Sequence, residues 1–116
     1  MRRGEIRLVD LEPVRGSEAD KRRPAVIVSN DRANAAADRF GRGGVVTVVP
    51  VTSSVSRVWA FQVLLPAEDT GLRVDSKAQA EQVRSVSVDR IGPAIGRVSP
   101  PLMGELDEAL RLHLAL

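Results

Sequence analysis

Three stretches of this sequence carry side chains whose type and setting suit chemistry. In Arg22-Arg23-Pro24 the proline fixes the backbone at the threshold of an apolar run, so Arg23 rides on rigid main chain, as a catalytic cation should. In Pro50-Val51-Thr52-Ser53-Ser54 a second apolar run ends in three hydroxyl side chains, and Thr52 at its mouth can hydrogen-bond a phosphoryl oxygen or a 2′-hydroxyl. Its ordinary reading is a β-branched residue finishing a strand. From Asp75 to Arg84 polar residues alternate, with Lys77, Gln79 and Glu81 on one face and Ser76, Gln82 and Arg84 on the other. Such a segment is either an edge strand or a strand that lines a site.

Two loops could serve these residues. Pro13 to Pro24 is a long connection that carries Arg15, Lys21 and Arg22, either as a cationic flap over a substrate or as a solvated loop. Ser53 to Ala60 holds Arg57 and Trp59, a pair able to grip a splayed base by stacking, unless the indole belongs to the core.

A chain of 116 residues closes one hydrophobic core, so residues 1–116 are expected to form a single domain. There is no cysteine and only one histidine, His113, which removes catalytic thiols, thiolate metal sites and disulfides. The acidic residues show no ligand spacing, so neither a metal nor another cofactor is expected. No apolar run is long enough for a signal peptide or membrane span, which reads as cytoplasmic. The net charge of +2 does not by itself indicate a nucleic-acid binder, but the positive charge gathers in the first half. Fifteen of the seventeen cations are arginine, the side chain that forks onto phosphate and stacks on bases.

The elements that must position these groups are mostly strands. Glu5–Val9, Ala25–Ser29, Val45–Val51, Phe61–Leu65 and roughly Ser76–Val83 are short apolar or alternating segments bounded by turn residues. The two β-branched runs, Ala25–Val28 and Val45–Val49, have the continuity of strands covered on both faces. Asn30 is placed to cap a short helix over residues 31–37, ending at Gly41-Arg42-Gly43-Gly44. Ser99-Pro100-Pro101 opens a longer helix to about Ala115, with Leu102, Leu106, Ala109, His113 and Leu116 on the packed face. The fold class is therefore mainly β with added helices: a small barrel or curled sheet with a packed C-terminal α-helix.

In order, Arg3-Gly4-Glu5-Ile6, Gly16-Ser17-Glu18, Arg23-Pro24 with the run to Asn30, Val49-Pro50-Val51-Thr52-Ser53 and Glu81-Gln82-Val83-Arg84-Ser85 resemble the MazF/PemK toxin family. Val88–Ile91, Ile95–Val98 and the Met103/Leu106/Ala109/Leu110 helix resemble its closing segments. That resemblance implies an SH3-like barrel of five or more strands, a homodimer with an RNA groove across its interface, and a toxin of a type II toxin–antitoxin system. It implies metal-independent cleavage of single-stranded RNA by the RNA's own 2′-hydroxyl, leaving a 2′,3′-cyclic phosphate and a 5′-hydroxyl. The partner it implies is a MazE-like antitoxin whose acidic C-terminal segment covers the groove. Arg23 and Thr52 are the catalytic residues it transfers. Gln82 and Arg84 support the site, and Arg15, Lys21, Arg22, Ser53, Arg57, Trp59 and Gln79 stand where RNA would lie. PemK-type members carry histidine, arginine and aspartate where this chain has Ser17, Gln79 and Glu81, so their acid/base set does not transfer and the general base stays unassigned. A CcdB-like toxin that binds a protein such as DNA gyrase would finish in a tryptophan-bearing tail, whereas this chain ends Leu112-His113-Leu114-Ala115-Leu116. An aromatic peptide-binding module would need more than Phe40, Trp59 and Phe61.

Overall fold

In the computed structural model, which describes residues 1–11, 22–41 and 43–116, the chain forms a seven-stranded antiparallel sheet with helices packed on it. The strands are β1 (Glu5–Asp10), β2 (Arg22–Ile27), β3 (Val45–Thr52), β4 (Gln62–Leu65), β5 (Ser76–Gln79), β6 (Arg84–Ser87) and β7 (Ile91–Arg97). The helices are α1 (Asp31–Phe40), the single turn α2 (Ala67–Thr70) and α3 (Pro100–Leu114). Along the sheet the order is β4-β5-β3-β2-β1-β7, and β6 also pairs with β3. One edge of β3 is thus shared, its first half pairing with β6 and its last two residues with β5. A strand that serves two neighbours in succession forces the sheet to curl, and this produces the barrel-like form.

The unbroken apolar runs are explained by two cores. On β2 and β3, Val26 and Val49 face one cluster with Ile6, Leu65 and helix α3, while Ala25, Ile27 and Val48 face a second with Val9, Val86 and Ala37 of α1. Alternation therefore persists in the backbone but not in the polarity of the residues.

Asn30 caps α1 as its type predicts, its side chain accepting from Ala33 N at 2.8 Å. The helix runs three residues beyond the expected end, to Phe40; Gly41, whose φ is positive, stops it while its N–H still donates to the Ala37 and Asp38 carbonyls, and Asn34 is buried against Ser29. Gly44 lies so close to α1 that a Cβ there would stand 2.4 Å from the Ala37 carbonyl oxygen. The first turn of α1 is also tied to the N-terminus: Arg3 N donates to Asp31 Oδ1 at 2.6 Å, and Arg2 pairs with the same carboxylate at 3.4 Å. That backbone hydrogen bond holds the Asp31 carboxyl below its ordinary pKa.

Several expectations are corrected. The polar strand from Ser76 ends at Gln79, and a 3₁₀ turn over Ala80–Gln82 breaks it before β6 begins. On α3 the buried residues are Met103, Leu106 and Ala109. His113 and Leu116 are exposed, because the last turn of α3 extends past the sheet edge that its middle covers. Strands β6 and β7 and the turn α2 escaped the sequence reading; β7 contains Gly92, Pro93 and Gly96, which weaken strand signals. Among the described residues no helix is long and apolar enough to cross a membrane.

Candidate active site

β2 and β3 pair in a register where Ala25 faces Pro50, Val26 faces Val49 and Ile27 faces Val48. The ladder ends at that Ala25–Pro50 pair; beyond it β2 reaches back to Arg22 and β3 runs on to Thr52, so Arg23 and Thr52 each lie two residues past the last pair, on neighbouring strands. By the two-residue period, Arg23 shares its strand face with Ala25 and Ile27, and Thr52 shares its face with Val48 and Pro50. Both residues therefore sit at the strand ends where one core layer gives way to solvent. Arg23 is exposed, and its guanidinium has no ion pair or hydrogen bond with any described residue. Its backbone is fixed by the ladder to Val9 on the other side.

Both residues line one groove of about 810 Å³. Leu8 reaches it from β1 and Leu11 from just after it, Pro24 from β2, Pro50 to Thr52 from β3 and Ser53 from the residue that follows. Residues 71–74 with Ser76, Gln79 and Ile95 complete the lining. The walls are largely apolar and the polar groups few, as suits a ligand with flat apolar faces and charged links. Thr52 Oγ1 accepts from Ser54 N at 3.2 Å, so one lone pair is occupied and the hydroxyl proton is left to point elsewhere. Among the described residues, no three His, Cys, Asp or Glu side chains come close enough together to hold a metal ion.

The other candidates separate into three groups. Gln79 and Ser53 are in the groove with Arg23 and Thr52. Glu81, Gln82 and Arg84 are not among its lining residues. Glu81 Oε2 accepts from Gln62 Nε2 at 2.7 Å, while its Oε1 is buried without a partner among the described residues. Arg84 donates from Nη1 to the Leu11 carbonyl at 2.8 Å, fixing the point where β1 leaves the sheet, and Gln82 is exposed on the 3₁₀ turn. Arg22 is exposed at the start of β2. Arg15, Ser17 and Lys21 lie outside the described residues.

The loop after Thr52 is held more firmly than its sequence suggests. Lys77, only 8% exposed, donates from Nζ to the Arg57 carbonyl at 2.6 Å. Gln62, itself fixed by Glu81, accepts from Trp59 N at 3.1 Å. On this mount the Arg57 guanidinium lies 4.6 Å from the Trp59 ring centroid, and Phe61 lies parallel to the indole at 6.1 Å. Trp59 is 49% exposed, which resolves its two readings against the core. The mooring roles of Lys77 and Gln62 were missed; a buried lysine has no signature in a polar strand. Arg73, a second arginine in the groove, was missed as well, because Gly71-Leu72-Arg73-Val74 carries no motif.

Comparison with known proteins identifies the family. Residues 2–114 match the family model described as PemK-like, MazF-like toxin of type II toxin–antitoxin system. Over 116 residues, the whole of this chain and 98% of the relative, the sequence is 65% identical to Endoribonuclease MazF9 of Mycobacterium tuberculosis. It is 30% identical over the same 116 residues to Endoribonuclease EndoA of Bacillus subtilis, covering 96% of that protein. Among solved structures, an endoribonuclease in complex with its cognate antitoxin from a mycobacterial species superposes with a TM-score of 0.77 at 25% identity, covering 100% of this chain and 96% of that one. MazF from Deinococcus radiodurans gives the same TM-score and identity, covering 100% and 97%. With its barrel-like sheet, its groove and a match along almost its whole length, the chain belongs to the PemK-like, MazF-like toxins of type II toxin–antitoxin systems.

Proposed function

We infer that this toxin is an endoribonuclease that cuts single-stranded RNA in the groove between Arg23 and Thr52. The observation that carries the reading is that Arg23, without a partner among the described residues, and Thr52 both line that groove at the ends of neighbouring strands. The proposed attack is by the RNA's own 2′-oxygen on the adjacent phosphorus, with departure of the 5′-oxygen. A 2′,3′-cyclic phosphate and a 5′-hydroxyl remain, and the nucleophile comes from the substrate, so the protein's tasks are to align, to move protons and to stabilise charge. Arg23 neutralises the charge added in the phosphorane, and the Thr52 hydroxyl donates to one of its oxygens. Arg84 and the Glu81–Gln62 pair hold the strand ends and the Trp59 loop that frame the groove. Arg22, Ser53, Arg57, Trp59 and Gln79 complete the RNA path together with Arg15 and Lys21, while Gln82 and Ser17 are assigned to acid/base work or support of the site.

The mycobacterial endoribonuclease it resembles forms a complex with its cognate antitoxin, and this chain is inferred to be held inactive by an antitoxin of its own. An acidic segment laid over the groove would occupy the arginines that RNA needs. A homodimer with the groove extended across its interface completes the proposed assembly. Incubating the purified chain with a defined RNA in EDTA and identifying the new ends tests the chemistry. Cyclic phosphate and 5′-hydroxyl ends, with loss of cutting when the nucleotide at the cleaved bond is 2′-deoxy, are expected. Ends bearing 5′-phosphate, or a requirement for added metal, overturn the mechanism. Intact RNA with arrest through a protein target would favour the gyrase-poison class instead.

A further inference from the structure

We propose that Arg73 is a second phosphate-binding arginine of the groove, holding an RNA phosphodiester next to the one that is cut. The inference rests on the endoribonuclease reading above and extends it to a residue outside the catalytic pair. Most arginines of the described chain are committed: Arg3 to Asp107, Arg7 to Glu5, Arg84 to Leu11, Arg111 to Glu108 and Arg57 to the Trp59 ring. Arg73 has no such commitment to a described residue, and it lines the same groove as Arg23 and Thr52.

Its mounting separates it from an ordinary surface arginine. The turn that carries it is tied to itself by Thr70 Oγ1 donating to the Pro66 carbonyl at 2.8 Å and by Asp75 Oδ1 accepting from Ala67 N at 2.8 Å. Asp75, the nearest acidic side chain in sequence, is thereby engaged with the backbone. Gly71 takes a left-handed conformation, φ 84°, and the next residue, Leu72, is buried in the core. The turn is pressed onto β7, where a Cβ at Gly96 would stand 2.5 Å from the Thr70 carbonyl oxygen. Arg73 thus leaves a fixed backbone between a buried leucine and a backbone-bound aspartate, with its five donors uncommitted. Two such guanidiniums in one groove suit two successive charges on a chain that repeats a phosphate at every nucleotide.

The test measures binding of an uncleavable RNA, 2′-deoxy at the cut position, from about 50 mM to 1 M salt, together with steady-state cleavage of the native RNA. Each phosphate neutralised on a single strand contributes about 0.7 to the slope of log affinity against log salt. Arg73→Ala is expected to lower that slope by about 0.7, weakening binding about eightfold at 50 mM and hardly at all near 1 M. The loss should appear in KM rather than in kcat, and Arg73→Lys should keep most of the slope. A slope unchanged in Arg73→Ala while the wild-type chain still cuts overturns this inference alone. A wild-type chain that neither binds nor cuts RNA overturns it together with the proposed function.

Discussion

Replacing Arg23 by alanine is the most direct perturbation of the proposed chemistry, and its size follows from where the residue sits. Forming the phosphorane takes the reacting phosphate from one negative charge to two, so Arg23 gains interaction with one added unit charge. At about 4 Å and an effective dielectric near 20, that is about 4 kcal/mol, or about three orders of magnitude in rate. Arg23 is exposed in the free chain, and screening by solvent moves the expectation toward the roughly 100-fold loss seen when a single oxyanion donor is removed. The substitution leaves the Val9 ladder and both cores intact, so the variant should fold. The assay is single-turnover cleavage of a short RNA at saturating protein, with circular dichroism to verify the fold. Arg23→Lys, which keeps the charge and loses the fork, should recover part of the rate. An Arg23→Ala variant that cuts within about threefold of wild type, less than 1 kcal/mol of barrier, would refute the assignment.

Thr52→Val should slow the same step by about ten- to a hundredfold, and Thr52→Ser by much less, since the effect lies in one hydrogen bond to a charged group; single-turnover rates decide. Leu106→Ala, at a fully buried position where α3 meets the sheet, should cost about 2–5 kcal/mol, read from urea midpoints. The Asp31 carboxyl is held below its ordinary pKa by the Arg3 amide, so the stability it contributes is present above the unfolded value of about 3.8 and is lost as pH falls through the lower folded value. Asp31→Asn should therefore flatten the acid limb of a stability–pH curve and leave the slope above pH 5 unchanged, as measured by denaturant midpoints.

What the sequence discloses depends on whether a residue's role is local. The cap at Asn30, the proline opening α3 and the two β-branched runs are decided by neighbours in the chain, and all are found where their residue types place them. Arg23 and Thr52 were legible as candidates for the same reason, each standing at the end of an apolar run. Their meeting in one groove was not, because it depends on a strand pairing that only folding supplies. The polar strand was overextended for a related reason: alternation from Ser76 to Arg84 does not distinguish one strand from two joined by a 3₁₀ turn. His113 has the spacing of a buried position, but the helix outruns the sheet beneath it.

The same distinction explains why the proposed catalytic pair and the residues around it are built so differently. Arg23 and Thr52 sit on strands whose other residues fill two cores, and moving either one would disturb a ladder that the whole domain shares. The aromatic loop is instead attached to that frame by two polar contacts, Lys77 to Arg57 and Gln62 to Trp59, and the Arg73 turn by buried Leu72 and its seat against Gly96. Chemistry common to every phosphodiester requires fixed geometry, whereas the bases on either side differ from one target to another. A rigid pair flanked by separately moored loops lets the loops change while the reacting geometry stays. Substitutions at Arg57 or Trp59 should therefore alter which RNA sequences are cut, as read by sequencing the 5′ ends of the products. Substitutions at Arg23 should slow cleavage at every sequence alike. If Arg57→Ala or Trp59→Ala slowed all sites equally and left the preference unchanged, the division of labour between frame and loops would be wrong.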